Sequence, residues 1–365
     1  MKSARVVFAC CAAAFQLAAS AEPLPDGLYA EVSTPRGKIT AELYHRQAPM
    51  TVANYVGLAE GVLGPSAGGK PFFDGLVFHR VVPDFVVQGA DPTGTGSGDA
   101  GYLFPDEIVP GLLHRKPGVV QMANDGPDTN GSQWCFILRP SPHLDYLHSV
   151  FGQVVEGLEI LPRIEQGDGM KVKILRVGKE AEEFRVTRES FAAMVAAAKR
   201  YEGPRQPRPD APFDDPDKLL PTDWPRAVAV TQKLANFQRF TGLRVAARVL
   251  AKTPEGEGGI PRYLKETAEH LGTGPAGVLA VYFADQDRWH LHIGQDVAGF
   301  PRESRAEPEA RLLAEARLLQ DEMVVAALKR LPADQTELAR SAHVRLAVDA
   351  MLDRLLATLA AARKP

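Results

Sequence analysis

The side chains with most chemistry to offer lie between Phe78 and Gly152. The first run is Phe78-His79-Arg80-Val81-Val82-Pro83-Asp84-Phe85-Val86-Val87-Gln88-Gly89-Ala90-Asp91. Met122-Ala123-Asn124-Asp125-Gly126-Pro127, Thr129-Asn130-Gly131-Ser132-Gln133, Leu144-Asp145 and His148-Ser149-Val150-Phe151-Gly152 follow in that order. A lone Arg is usually a surface ion pair, and a lone His a satisfied structural residue. Here an Arg, several amides and a His recur together among apolar and aromatic side chains. Such a set offers a permanent cation, neutral hydrogen-bonding groups and an apolar wall. Cys135 fits a small pocket-lining hydrophobe better than a nucleophile. The sequence has no CxxC and no Cys/His spacing of the kind that holds zinc, so thioredoxin-like and zinc-finger readings fall away and no metal is expected.

In order and spacing these residues resemble the cyclophilin family of peptidyl-prolyl cis–trans isomerases, over roughly residues 27 to 178. The resemblance implies a closed eight-stranded antiparallel β-barrel with two capping helices, a packed interior and a substrate groove on the outer surface. It implies Arg80 and Gln88 as catalytic residues. It implies Phe85, Val86, Asn124, Gln133, Cys135, His143, Leu144 and His148 as the substrate-binding set. No cofactor is called for. Rotation about a peptide bond is opposed by roughly 18–20 kcal/mol, because the nitrogen lone pair is delocalised into the carbonyl. Xaa-Pro bonds populate both isomers but exchange slowly. A guanidinium beside the prolyl nitrogen localises that lone pair as the nitrogen pyramidalises, the role implied for Arg80, with Gln88 orienting it. The expected partners are proline-containing unfolded or loop segments.

Three positions depart from the family pattern. Val86 stands where Met is usual. Trp134-Cys135-Phe136 replaces a Phe-Phe-apolar run, and strand alternation puts Cys135 in the pocket with Trp134 and Phe136 pointing away. His143 stands where members that bind the cyclic peptide cyclosporin carry Trp. Val86 and Cys135 predict a wider, shallower proline pocket, and His143 predicts weak inhibitor binding. Tyr146-Leu147 replaces a common Gly-Lys, so that turn is open to another shape.

Short β-patterned runs must position this set: Leu28–Val32, Lys38–Leu43 and Val119–Met122, separated by Gly- and Pro-rich turns. Residues 48–63 read as a helix stopped by Gly61. Residues 187–201 switch to helical period, with Phe191, Met194, Val195 and Ala198 on one face. The proline-rich stretch 202–225 reads as an extended, semi-rigid linker within a 187–225 connector. Beyond it, residues 226–365 read as a separate α/β domain in βαββ order, closed by long helices near 308–331 and 335–361.

The chain has 365 residues, 42 basic and 45 acidic, with a net charge of −3, which argues against a general nucleic-acid binder. Residues 1–21 read as a signal peptide: Lys2 and Arg5, an apolar run from Val6, and Ala19-Ser20-Ala21 as the cleavage site. Cleavage leaves Cys135 as the only cysteine and no stable membrane span. An exported, periplasmic protein is expected. Gly96-Ser97-Gly98-Asp99-Ala100-Gly101 spells GxGxxG but leads into Pro105 rather than a helix, so it is read as a loop. His290-Leu291-His292 is read as a solvated strand face. The C-terminal half resembles, through Gly242-Leu243-Arg244-Val245, Gly277-Val278-Leu279-Ala280-Val281 and Asp287–His292, the TPM-type α/β domain of exported proteins, although Gly294-Gln295-Asp296 matches its acidic motif poorly. An adaptor or packing role is favoured for it, with Arg and Glu on the closing helices as a surface for a protein partner. The principal expectation is an isomerase assisting the folding of exported proteins, whose activity survives loss of residues 226–365. The alternative is a low-activity peptide-binding module or chaperone adaptor on the same fold.

Overall fold

The computed structural model describes residues 23–65, 69–221, 226–332 and 335–362; the expected signal peptide lies outside them. The chain opens with a hairpin, β1 (Gly27–Thr34) and β2 (Gly37–Leu43), paired from Leu28–Leu43 to Thr34–Gly37. Gly37 has φ +137°, a conformation that closes this two-residue turn and that L side chains rarely adopt. Alternation puts Leu28, Ala30, Val32, Ile39, Ala41 and Leu43 inside. α1 (Pro49–Ala59) starts at a proline, as a missing N–H permits. Its N-cap, Ala48, has no side-chain acceptor, and the Glu107 carboxylate takes over that role. It accepts hydrogen bonds from Met50 N at 3.1 Å and Thr51 N at 2.7 Å.

Next come β3 (Arg80–Val82), β4 (Val86–Gly89), β5 (Val119–Met122), β6 (Trp134–Ile137), β7 (Val150–Glu156) and β8 (Lys171–Val177). The eight strands form one antiparallel sheet in the order β3-β4-β6-β5-β7-β2-β1-β8. It curls around a core holding Trp134, Tyr55, Phe73, Phe78, Phe136 and Phe151. The closed barrel expected from the sequence is not what forms. No ladder joins the edge strands β3 and β8. Residues 75–78 and 167–170, just before them, meet instead at the isolated bridge Val77–Gly169, with backbone bonds such as Phe78 N to Asp168 O at 2.9 Å. α1 caps the core, but Leu158–Arg163 is only a short 3₁₀ segment, and Pro162 within it lacks the N–H that an α-helix would use. α2 (Lys179–Glu183) and α3 (Arg188–Ala197) follow, and Phe191 of α3 enters the same core beside Phe104. Thr187 and Ser190 form a reciprocal capping box at the start of α3.

The second unit is a three-layer α/β/α arrangement. β9 (Phe213–Asp214), α4 (Arg226–Thr241), β10 (Val245–Leu250), α5 (Gly259–His270), β11 (Val278–Phe283), β12 (Arg288–Ile293), α6 (Ala306–Leu328) and α7 (Arg340–Ala361) follow in order. The sheet runs β12-β11-β10-β9, with β9, β10 and β11 parallel and β12 antiparallel. Strict alternation decides the layers. Val245, Ala247, Val249, Val278, Ala280 and Tyr282 face α4, α6 and α7. Ala246, Leu279, Val281 and Phe283 face α5. The proline-rich stretch is more than a spacer. Within it, β9 extends the sheet, Ala211, Phe213 and Leu220 are buried, and the buried Arg248 guanidinium donates to Pro209 O and Ala211 O. Proline fixes an extended backbone, which serves an edge strand as well as a linker.

The two units share packing. Ile108 and Tyr146, from loops of the first, lie in the apolar core of the second.

Candidate functional site

Register builds the site. Arg80 pairs with Gln88 across β3–β4, Gln88 with Cys135 across β4–β6, and Cys135 with Gln121 across β5–β6. Paired residues share a face, so these four side chains form one row across the outer face of the curled sheet. Beside it Val86, Val119, Cys135, Ile137 and Val150 form a buried apolar floor, with Phe85, Ala123 and Leu144 at its margin. Trp134 and Phe136 point to the interior core, so Cys135 lines the floor without an adjacent aromatic. Burial pushes its thiol up to about 12, and it is unreactive as a nucleophile at neutral pH.

Arg80 is exposed, and its Nη1 donates to Gln88 Oε1 at 3.1 Å. Gln88 Nε2 donates to Gln133 Oε1 at 2.9 Å. Gln133 Nε2 donates to Gly96 O and Gly98 O, both at 2.9 Å. Each amide therefore has its oxygen and nitrogen ends assigned by its neighbour, and donation runs one way, from guanidinium to loop carbonyls. The loop that spells GxGxxG is the bracket for this relay. Asp91, buried beneath it, accepts from Thr93 N at 2.7 Å, Thr93 Oγ1 at 2.8 Å and Gly96 N at 2.5 Å. Burial alone would raise that carboxyl; the hydrogen bonds outweigh it and hold the group at about 2.

The other wall is aromatic. The Phe85 ring stacks on His143 with centroids 5.6 Å apart and planes 25° apart, and Arg80 Cζ lies 6.0 Å from the Phe85 centroid. His148 Nδ1 donates to Met122 O at 3.2 Å, which leaves Nε2 as the acceptor on a neutral ring. Burial pushes both imidazoles down to about 3, reinforced at His143 by the Arg226 charge and at His148 by His114. Asn124 stands apart from the Arg80 relay. Its Nδ2 donates to Leu147 O at 2.9 Å and so ties the 122–126 segment to the wall loop.

Several residues of this region were not singled out in the sequence. His114 is fully buried, with Nδ1 2.7 Å from Asp145 Oδ1 and Nε2 bonded to Gln121 Oε1. Arg115 bridges Asp145, at 3.1 Å, to Asp353 of α7. A polar Gln inside Val119-Val120-Gln121-Met122 was the available signal. Tyr146 has φ +64°, a backbone region that costs a non-glycine residue roughly 1–2 kcal/mol. Its ring is buried in the second unit, edge-on to Phe237 at 4.9 Å. Burying a ring of that size returns roughly 1.5–3 kcal/mol, which works against the strain, while the hydroxyl it carries finds no hydrogen-bond partner among the described residues. The turn thus keeps the left-handed shape that a glycine would adopt, although its residue is a tyrosine.

The candidate site can fix a cation, a chain of oriented amides and an apolar pocket against a bound segment. Among the described residues no group of three or more His, Cys, Asp or Glu is placed to hold a metal. Comparison with known proteins places residues 29–179 within the model for cyclophilin type peptidyl-prolyl cis-trans isomerase/CLD. Peptidyl-prolyl cis-trans isomerase A of Mycobacterium tuberculosis is 49% identical over 133 residues, covering 35% of this chain and 73% of that protein. Peptidyl-prolyl cis-trans isomerase ppi1 of Schizosaccharomyces pombe is 46% identical over 137 residues, covering 37% and 83% respectively. Among solved structures, a Cryptosporidium parvum cyclophilin type peptidyl-prolyl cis-trans isomerase is 29% identical. It covers 41% of this chain and 98% of that one, with a TM-score of 0.36.

Proposed function

The chain belongs to the cyclophilin-type peptidyl-prolyl cis–trans isomerase family, and from that premise we propose that Arg80 and Gln88 carry isomerisation of Xaa-Pro bonds in the groove described above. The observation that supports this reading most directly is the relay ending on Arg80, whose guanidinium has one N–H fixed by Gln88 and the rest facing solvent. In the twisted amide the prolyl nitrogen becomes pyramidal and regains a lone pair. A guanidinium N–H placed beside it donates to that lone pair, which the planar ground state does not offer. The interaction is therefore made in the transition state alone, and lowers the barrier rather than merely holding substrate. Each decade of acceleration needs about 1.4 kcal/mol, and five decades roughly 7 kcal/mol. One charge-assisted hydrogen bond and a preorganised pocket supply that order.

Phe85, Val86, Cys135, Leu144 and His148 would wall the proline ring, Gln133 would hold Gln88, and Asn124 would bind the substrate backbone. The mechanism asks nothing of a metal or cofactor. We further propose that clients are exported proteins, reached in the periplasm after cleavage at Ala21; the basic start and apolar run of residues 1–21 support this. A second reading, a peptide-binding module with little turnover, draws on Val86 and Cys135, which leave the pocket floor with no aromatic side chain.

The test is cis–trans exchange of a short Xaa-Pro peptide, followed by NMR, with mature protein and with Arg80→Ala. Acceleration that collapses in the variant supports the isomerase. Tight binding without acceleration selects the second reading.

A further inference from the structure

The wall loop 142–148 is held from outside by the second unit. Lys233 Nζ of α4 donates to Pro142 O at 2.9 Å, and Asn236 Nδ2 donates to Tyr146 O at 3.0 Å. Lys233, Asn236 and Arg239 recur at i, i+3 and i+6, on the face of α4 that meets the first unit. Arg239 Nη2 donates to Asp128 Oδ1 at 2.8 Å, so the same helix grips the neighbouring 126–130 loop. Lys233 and Asn236 are buried, each with a carbonyl of the first unit as acceptor. A buried ammonium is costly unless it is hydrogen-bonded or paired, so Lys233 depends on the Pro142 carbonyl. Tyr146 is the centre of this contact: its ring enters the second core, while its backbone sets the turn between Leu144 and His148. The Tyr146 hydroxyl is buried with no hydrogen-bond partner among the described residues, so the favourable part of its contribution comes from the ring.

We propose that the second unit is the fixed outer support of the peptide groove, and that Tyr146 is a positioning residue which sets Leu144 and His148 through its anchorage between α4 and the second core. The proposal rests on the groove being the peptide site. It reverses one expectation from the sequence: loss of residues 226–365 would remove the support, so undiminished activity is no longer expected from such a truncation.

The test uses the full-length protein and an Xaa-Pro peptide, with KM and kcat separated by NMR exchange and the Leu144 methyl and His148 ring resonances recorded. Wall contacts are made to ground and transition states alike, so Tyr146→Gly is expected to raise KM about tenfold with kcat within about twofold. Tyr146→Phe keeps the ring and is expected to rescue KM to within about twofold of the parent. Leu312→Ala, in the second core on α6, controls for lost stability and is expected to leave KM unchanged. The proposal is overturned if Tyr146→Gly leaves KM and both resonances unmoved, or if Leu312→Ala raises KM equally. Should Tyr146→Gly fail to fold, Lys233→Met removes the donor to Pro142 O and must raise KM; an unchanged KM overturns the proposal. If the parent protein accelerates no peptide, the functional reading fails, and the same variants decide the positioning role through the peptide dissociation constant.

Discussion

Phe85 and His143 stack face to face across the groove wall, 5.6 Å between ring centroids. Burial keeps the His143 imidazole neutral across the physiological range, so the stack is apolar, without a second cation beside Arg80. An imidazole covers less area than an indole and cannot reproduce its N–H at the same reach. Calorimetric titration with cyclosporin is expected to give binding at least about a hundredfold weaker than that of a Trp-bearing relative, roughly 3 kcal/mol. Equal affinity would remove position 143 as the determinant.

Arg80→Ala is expected to lower kcat/KM by about 10²–10³, as loss of one preorganised donor to a developing lone pair does. Arg80→Lys restores charge but not the planar fork that Gln88 holds, so it is expected to recover less than about one decade. Full recovery with Lys, measured by the same peptide exchange, would show that charge alone suffices.

Cys135 is 3% exposed and its thiol is pushed up to about 12. Native protein at pH 8 is therefore expected to resist alkylation by iodoacetamide, and denatured protein to react fully. Mass spectrometry reads both. Rapid labelling of the native state would mean that the pocket floor opens.

Acid stability follows from the half-buried imidazoles of the groove wall. His143 and His148 titrate at about 3 when folded, against an ordinary 6.5 when unfolded. Between those values the unfolded chain binds protons that the folded chain refuses, so these groups make stability fall as pH drops below 6.5. Asp106 works in the opposite sense. Burial pushes its carboxyl up to about 6, so it takes a proton in the folded state first. Burial also lowers the His79 and His290 imidazoles and raises the Glu107, Asp214 and Glu309 carboxyls; the large shifts at His143 and His148 set the sign, and the denaturation midpoint is expected to fall from pH 6.5 to 4. A midpoint that rises on acidification would contradict this balance.

Much of the groove was legible because it is written in alternation. Trp134-Cys135-Phe136 announces which side chain faces outward, and the short β3–β4 hairpin forces Arg80 opposite Gln88. The relay partner Gln133 was also in view. The Gly96–Gly101 loop read correctly as a loop, but its carbonyls as the terminus of that relay were not visible, because a backbone acceptor leaves no trace in residue type. Tyr146 was seen only as a departure from glycine. Its burial depends on α4, about ninety residues later, and no local period reports such a contact. The proline-rich stretch misled for a related reason: proline specifies an extended chain but not whether a neighbouring strand waits for it. The sheet's open seam and the 3₁₀ segment around Pro162 are likewise tertiary outcomes. The assignment of Asn124 to the substrate backbone stands as inferred from its motif, since its side chain serves Leu147.

The burial of Ile108 and Tyr146 within the second core has a thermodynamic consequence. Melting of the second unit exposes Ile108 and Tyr146 of the first, and melting of either unit breaks the buried contacts of Lys233 and Asn236. The two halves are thus one cooperative body. Scanning calorimetry is expected to show a single heat-absorption peak, with calorimetric and van't Hoff enthalpies in agreement, despite a chain length at which separate melting is common. A mutation deep in the β11–β12 sheet would then lower the stability of the groove as much as one beside Arg80, and the isomerase would inherit the thermal tolerance of its second unit.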